Sequence, residues 1–187
     1  ALGMCFPGQG PVRGNSPKMQ ANARAAGRRI VEMVHEDLRP RQILTEGAFR
    51  NAIATVLAVS GSINAIKHLQ ATAVEAESDI DIFALWEEMS DVPVLSAVRP
   101  TGEVRIERFE DSGGARAILK RLESRIEPSA LTCTGKTLGE NLAGYEIPGP
   151  DVIHPLTGPV GPGPAIAILK GSFADTAVVR LGIRDGS

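Results

Sequence analysis

Apolar residues recur at three- and four-residue spacing over three successive stretches of the chain, and each stretch opens on a helix-start signal. The first runs through Ala23, Ala26, Ile30, Val34 and Leu38, with Ser16 placed as N-cap and Pro17 at the first helical position. Pro40 is expected to close the helix. The second follows Thr45, whose hydroxyl can take an orphan backbone amide; Ala48, Phe49, Ala52, Ile53, Val56 and Leu57 then form a broad apolar face. Ser60-Gly61-Ser62 interrupts that face. A third helix, capped by Ser62 or Asn64, carries Ala65, Ile66, Leu69 and Ala73 and runs into the acidic turn Glu75 to Asp81. Three helices in succession predict a helical layer.

Shorter signals follow. Phe83 to Met89 reads as a short helix and Val92 to Val98 as a buried strand bounded by Pro93 and Pro100, while the alternation of Val104 and Ile106 suggests an extended segment with one wet face. Ser112-Gly113-Gly114 opens a helix through Ile118, Leu119 and Leu122. Leu131 to Thr134 looks like a strand and Thr137 to Leu142 like a short helix. Proline and glycine then concentrate between Ile147 and Pro164, which makes this the best linker candidate. Beyond it, Ala165 to Leu169 and Ala177 to Leu181 are β-like, but two short strands cannot form a stable domain alone.

Composition removes several function classes. With 187 residues the chain can bury roughly 70% of its unfolded surface. Hydrophobic content is 43%, charged content 22% and net charge −2, which gives neither a nucleic-acid footprint nor a disordered acidic tail. The longest apolar runs, Ile53 to Val59 and Ala165 to Leu169, fall far short of the ~20 residues that span a bilayer, so no membrane segment is expected. Cys5 and Cys133 stand alone, with no Cys-x-x-Cys pair. That argues against a disulfide scaffold and for a reducing, cytoplasmic compartment, with each cysteine a small core residue. The opening Ala-Leu-Gly-Met-Cys has no initiator Met and no leader pattern, as expected of a chain entered in the middle of a longer protein.

Candidate chemistry is sparse. Thr134-Gly135-Lys136-Thr137 resembles the end of a phosphate loop, but the required first glycine falls on Ala130; a turn with Thr137 as helix cap accounts for it better. Glu75, Glu77, Asp79 and Asp81 lack the glycine and terminal Glu of a calcium loop and read as a solvated turn. His35, His68 and His154 lie in three segments with no cysteine beside them, so no zinc pattern forms. A Cys133–His68 nucleophilic pair stays open, because such partners need not be sequence neighbours. Gly61-Ser62-Ile63-Asn64 is the one local feature placed near a ligand: a helix N-terminus attracts carboxylate or phosphate, and Ser62 and Asn64 add short polar groups at its mouth. Plain helix capping explains the same two residues.

A collinear series of motifs adds a resemblance to these readings. Ala-Gly-Arg-Arg-Ile-Val-Glu-Met-Val-His-Glu-Asp-Leu-Arg-Pro at 26–40, Ile-Leu-Thr-Glu-Gly-Ala-Phe-Arg-Asn-Ala-Ile at 43–53, Arg-Pro-Thr-Gly at 99–102 and Thr-Gly-Lys-Thr-Leu-Gly-Glu-Asn-Leu at 134–142 stand in family order. Val-Ile-His-Pro-Leu at 152–156 and Ile-Leu-Lys-Gly at 168–171 continue it. The chain resembles the dihydroxy-acid dehydratase family, iron–sulfur hydro-lyases that also include 6-phosphogluconate and sugar-acid dehydratases, with 26–40 most like the sugar-acid branch.

The resemblance implies an α/β fold: residues 1–146 as the later part of a helix-rich, cofactor-bearing domain, 147–164 as linker and 165–187 as the first strands of a β-barrel-like C-terminal domain. It implies dehydration of a 2,3-dihydroxy or aldonic acid to a 2-keto acid, with an iron–sulfur cluster as Lewis acid, magnesium on the carboxylate end, a serine base and a homodimeric enzyme. The family's cluster cysteines and its Cys-Asp-Lys segment are expected upstream of Ala1, and its Asp-Gly-Arg-Phe-Ser segment beyond Ser187. Catalytic and metal-ligating residues are therefore assigned to no position here, this chain alone is expected to be inactive, and the alternative is a non-catalytic binding module on the same scaffold. Two local departures stand out: where the family has Gly-Gly-Ser-Thr-Asn, this chain has Ser60 for the first Gly and Ile63 for Thr.

Overall fold

The computed structural model describes residues 1–181. In chain order these form α1 (Pro17–His35), α2 (Pro40–Ile43), α3 (Glu46–Ala58), α4 (Asn64–Glu75), α5 (Ile82–Glu88), α6 (Ile106–Asp111), α7 (Gly114–Arg121) and α8 (Leu138–Leu142). The hairpin β1 (Ile166–Leu169) and β2 (Ala177–Arg180) comes last. The described residues are thus helix-rich with one small antiparallel sheet, in which Ile166 faces Arg180 and Leu169 faces Ala177. None of the helices is long and apolar enough to cross a membrane.

The core is built around α3. Nine of its thirteen residues are buried, so it is contacted on nearly every side, with Phe49, Ile53 and Leu57 meeting Ile66, Trp86 and Ile118 from α4, α5 and α7. Thr45 starts α3 by accepting a hydrogen bond from the amide of Ala48. A polar group also lies inside: Asn51 is fully buried and spends its carboxamide on the main chain of Glu127. One turn earlier, a side chain at Gly47 would collide with the Cβ and Cγ of Glu127, so a small residue there lets the segment approach α3.

The hairpin and the proline-rich segment lie along this body. Val152 and Ile153 are buried in the core, the His154 amide donates to the Leu95 carbonyl, and Val94 forms an antiparallel bridge with Gly161. Ala165 and Ile166 are buried too, and the Trp86 indole N–H donates to the Ile166 carbonyl at 3.2 Å.

The stripe Ala23, Ala26, Ile30 and Val34 faces solvent, and α1 meets the body through its other side, where Met33 is buried and Arg29 donates to the Cys133 carbonyl. Periodicity reports a stripe but not what covers it. Several expectations are corrected. Pro40 opens α2 at its first position, and α1 ends five residues earlier at His35. The stretches 92–98 and 131–134 are extended but form only single bridges, Val94–Gly161, Val98–Val104 and Leu131–Thr137. Pro93 lacks an amide for a ladder, and the second stretch folds back on itself within six residues. Ile106 begins α6 instead of continuing a strand, and Cys5 is exposed instead of buried.

Candidate functional site

The turn between α3 and α4 is stopped by backbone geometry. Ser60 has φ +47°, its amide donates to the Leu57 carbonyl, and the Gly61 amide reaches back to Val56. This is the paired bonding of a Schellman motif, with Ser60 in the left-handed position usually given to glycine. Asp37 and Glu77 end α1 and α4 in the same way. At Gly61 a side chain would press within 2.9 Å of a Val56 methyl.

The chain beyond the turn is fastened from outside the two helices. The Leu95 and Ser96 amides both donate to the Ala58 carbonyl, at 2.7 and 3.1 Å, and the Thr101 hydroxyl donates to the Ser60 carbonyl at 3.1 Å. Arg180, from β2, reaches the Thr101 hydroxyl at 3.5 Å. The hydroxyls of Ser60 and Ser96 are buried without a protein partner, as is the Nε of Arg180. Arg180 thereby connects the hairpin, the 98–104 loop and the α3–α4 turn.

Of the two sequence-predicted ligand residues, Ser62 accepts a hydrogen bond from the Asn64 amide at 3.2 Å, and Asn64 is the first residue of α4. Ser62, Ile63 and Asn64 are all exposed. Ile63 presents 39% of its surface, an apolar group at the mouth of a helix whose dipole favours anions. The structure brings Ser62 and Asn64 together at one helix start. Sequence reasoning missed Thr101, Ser96 and Arg180, which lie 30 to 120 positions away and have no local signal linking them to the turn.

The remaining candidates resolve into structure. Around 134–137, Asn141 donates to the hydroxyls of Thr132 and Thr134 and to the Thr137 carbonyl, and Thr137 and Glu140 form a reciprocal capping box that starts α8. These internal bonds occupy the groups a phosphate would need. Glu77 pairs with Arg41, and Asp81 caps α5 by accepting from Phe83 and Ala84. Cys133 is buried beside Met33 and Ile43, and burial pushes its thiol above the ordinary range; His68 is exposed on α4. Such a thiol is a poor nucleophile. Among the described residues, no group of three or more His, Cys, Asp and Glu is placed to hold a metal ion, so the residues here do not fit a metal or cluster site.

The described residues define a helix-rich domain with a small antiparallel sheet, in which the α4 start is fastened by distant loops. Comparison with known proteins places it. The family described as dihydroxy-acid/6-phosphogluconate dehydratase N-terminal matches residues 1–141, and the chain belongs to that family. It is similar to the dihydroxy-acid dehydratase of Methanothermobacter thermautotrophicus, at 39% identity over 97% of this chain and 34% of the relative. The dihydroxy-acid dehydratases of Syntrophobacter fumaroxidans and Methanosarcina barkeri are 39% and 38% identical, each over 96% of this chain and 33% of their own length. The chain therefore spans about a third of the curated relatives it matches.

Proposed function

We infer that this chain is a scaffold segment of a hydro-lyase that removes water from a 2,3-dihydroxy acid to give a 2-keto acid. The observation that carries this is similarity along almost the whole chain to proteins named dihydroxy-acid dehydratase. Those names favour a 2,3-dihydroxy acid over the aldonic acid suggested by the wording of residues 26–40.

On this reading, the α4 start is where the segment meets the anionic end of the substrate. The positive end of the α4 dipole attracts a carboxylate, and Ser62 and Asn64 offer hydroxyl and carboxamide groups to it. Thr101 and the Ala58 carbonyl bonds hold the turn in place. The β1–β2 hairpin serves as the opening of a β-rich C-terminal domain. The iron–sulfur cluster and magnesium implied by the resemblance supply Lewis-acid chemistry in such enzymes, and among the described residues no group of three or more His, Cys, Asp and Glu is placed to hold them.

Two measurements test this. Amide chemical-shift mapping with a 2,3-dihydroxy acid should perturb Ser62 and Asn64; no perturbation there removes the site. The purified chain should form no keto acid from the same compound, and its formation would overturn the inactivity. The exposed Ile63, in place of the family's Thr, favours the second reading, a binding module without catalysis. Flanking gene sequence separates the two: an uninterrupted frame carrying the family's cysteines upstream and serine downstream marks an enzyme segment.

A further inference from the structure

Two cysteines that stand far apart in sequence are brought to one place by the opening turn of the chain. The Cys133 amide donates to the Gly3 carbonyl at 2.7 Å, which puts Cys5 two residues from a direct contact with Cys133. On the other side of Cys5, Phe6 packs against the small cluster of Met33, Ile43 and Cys133. Cys5 is thus bracketed by two residues that both rest on Cys133 or its cluster. Residues 3 to 5 form a bend, which turns Cys5 toward the Cα separation of about 4.4–6.8 Å that a disulfide needs. Electrostatics agree: burial is the main cause that pushes the Cys133 thiol up, and a charge on Cys5 adds to it, so each sulfur lies within the other's field.

The segment that carries Cys5 has room to move. Gly3 is its anchor, with φ +81° and a site where a Cβ would press within 2.8 Å of the Leu131 carbonyl. Beyond Cys5 the bonds are local: the Phe6 amide donates to the Gln9 side chain and the Gln9 amide to the Phe6 carbonyl, both at 3.2 Å. A Cβ built at Gly8 would meet no atom within 4 Å, so this loop passes over open space. Cys5 also lines a cavity of about 70 Å³, with Phe6, Gly8, Arg116, Thr132 and Asn141 among its walls. A water needs only ~10–15 Å³ of such space, so a molecule of two oxygens fits beside the sulfur. Phe6 is the movable cover of Cys133, and it shifts with Cys5.

We propose that Cys5 and Cys133 are a peroxide-responsive pair that closes into a reversible disulfide. Exposure makes Cys5 the first to react, since Cys133 is buried and stays protonated. The Cys5 sulfur attacks one oxygen of hydrogen peroxide; the O–O bond breaks, leaving a sulfenic acid, and the departing hydroxide takes the thiol proton to become water. The Cys133 sulfur then attacks the Cys5 sulfur; the S–S bond forms, the S–O bond breaks, and a second water leaves with the Cys133 proton. Two thiols lose two electrons and one peroxide becomes two waters. The new bond ties the opening segment to the 131–137 turn and, through the Arg29 guanidinium that donates to the Cys133 carbonyl at 2.7 Å, to α1. None of this depends on the dehydratase reading.

The test is to treat the reduced chain with hydrogen peroxide at dilute concentration, unfold it, alkylate the remaining thiols and weigh it. Free thiols should fall from two to none, the chain should be lighter by two hydrogens, and one peptide should link positions 5 and 133 until dithiothreitol separates it. Cys5→Ser alters only an exposed side chain and should leave Cys133 a free thiol at the same dose. Cys133→Ala should stop at the Cys5 sulfenic acid, trapped by dimedone. Wild-type chain in which Cys5 gains oxygen while Cys133 stays reduced overturns the proposal, as do two unreacted thiols or a disulfide between two chains. So does a 5–133 bond that forms as readily in urea, where the fold no longer brings the pair together.

Discussion

Asn51 grips both main-chain polar groups of Glu127: the side-chain amide donates to the Glu127 carbonyl at 2.9 Å, and the side-chain carbonyl accepts from the Glu127 amide at 2.7 Å. The two residues are 76 positions apart, and this contact seats the 127–130 strap on α3. Replacing Asn51 with Ala leaves a cavity and two backbone groups without partners. A loss of about 2–4 kcal/mol is expected, read as a lower midpoint in urea. Asn51→Asp keeps the acceptor but sets a second carboxylate oxygen against the Glu127 carbonyl in a fully buried site, so at neutral pH it should be at least as destabilised as Ala; an Asp variant as stable as wild type would show the donor bond to be idle.

Ser60 occupies a position that favours glycine, at φ +47°, and its buried hydroxyl has no protein partner. Removing the Cβ relieves a left-handed cost of roughly 1–2 kcal/mol and sacrifices no hydrogen bond. Ser60→Gly should therefore stabilise the chain by about 1 kcal/mol, less than the full relief because glycine gains freedom when unfolded. Ser60→Ala serves as the control. It keeps the strain and deletes only the hydroxyl, so a melting temperature rising equally in both variants would place the cost in the hydroxyl's burial instead of the backbone.

These two residues also show what the sequence could disclose. Helix starts were legible because each is written within four residues: Ser16 before Pro17, Thr45 before Ala48, and Thr137 with Glu140 all bond as their spacing predicts. The hairpin runs were legible for the same reason. Asn51 was not, since a polar residue on an apolar face gives no hint of a partner 76 positions away. The α1 helix was legible but not the direction of its stripe, because a helical period looks identical whether the apolar side is covered or exposed. The candidate site was half visible. Ser62 and Asn64 announce a helix start locally, while Thr101 and Arg180 reach it only through tertiary folding.

The two cysteines should behave as opposites toward a thiol reagent. Cys5 is exposed, whereas Cys133 sits beside Met33 and Ile43 with its thiol pushed up by burial. One equivalent per chain should react at pH 8 in the native state and two after unfolding. The same shift gives a pH dependence. Below about 9 the thiol is protonated folded and unfolded; above it the unfolded thiol ionises first, so stability should decline from pH ~9 up to the higher folded value. Cys133→Ala, despite a lower baseline, should flatten that decline, and an unchanged alkaline slope would assign it to another group.

Trp86 is the chain's one tryptophan and is 1% exposed, so its fluorescence reports directly on the contact with β1. Its indole N–H bonds the Ile166 carbonyl at 3.2 Å, and Lys170 pairs with Glu87 beside it. Two effects can be separated here. Trp86→Phe removes the donor and leaves a buried carbonyl unpaired, at a cost of about 1–3 kcal/mol plus the lost ring area. Ending the chain at Pro164 removes the cover as well as the acceptor, so the native emission of Trp86 should shift to the red. If the hairpin only rested on the helical body, truncation would leave the spectrum in place and the urea midpoint unchanged. A red shift with a lowered midpoint would instead make the first strands beyond the proline-rich segment part of the helical core's own packing.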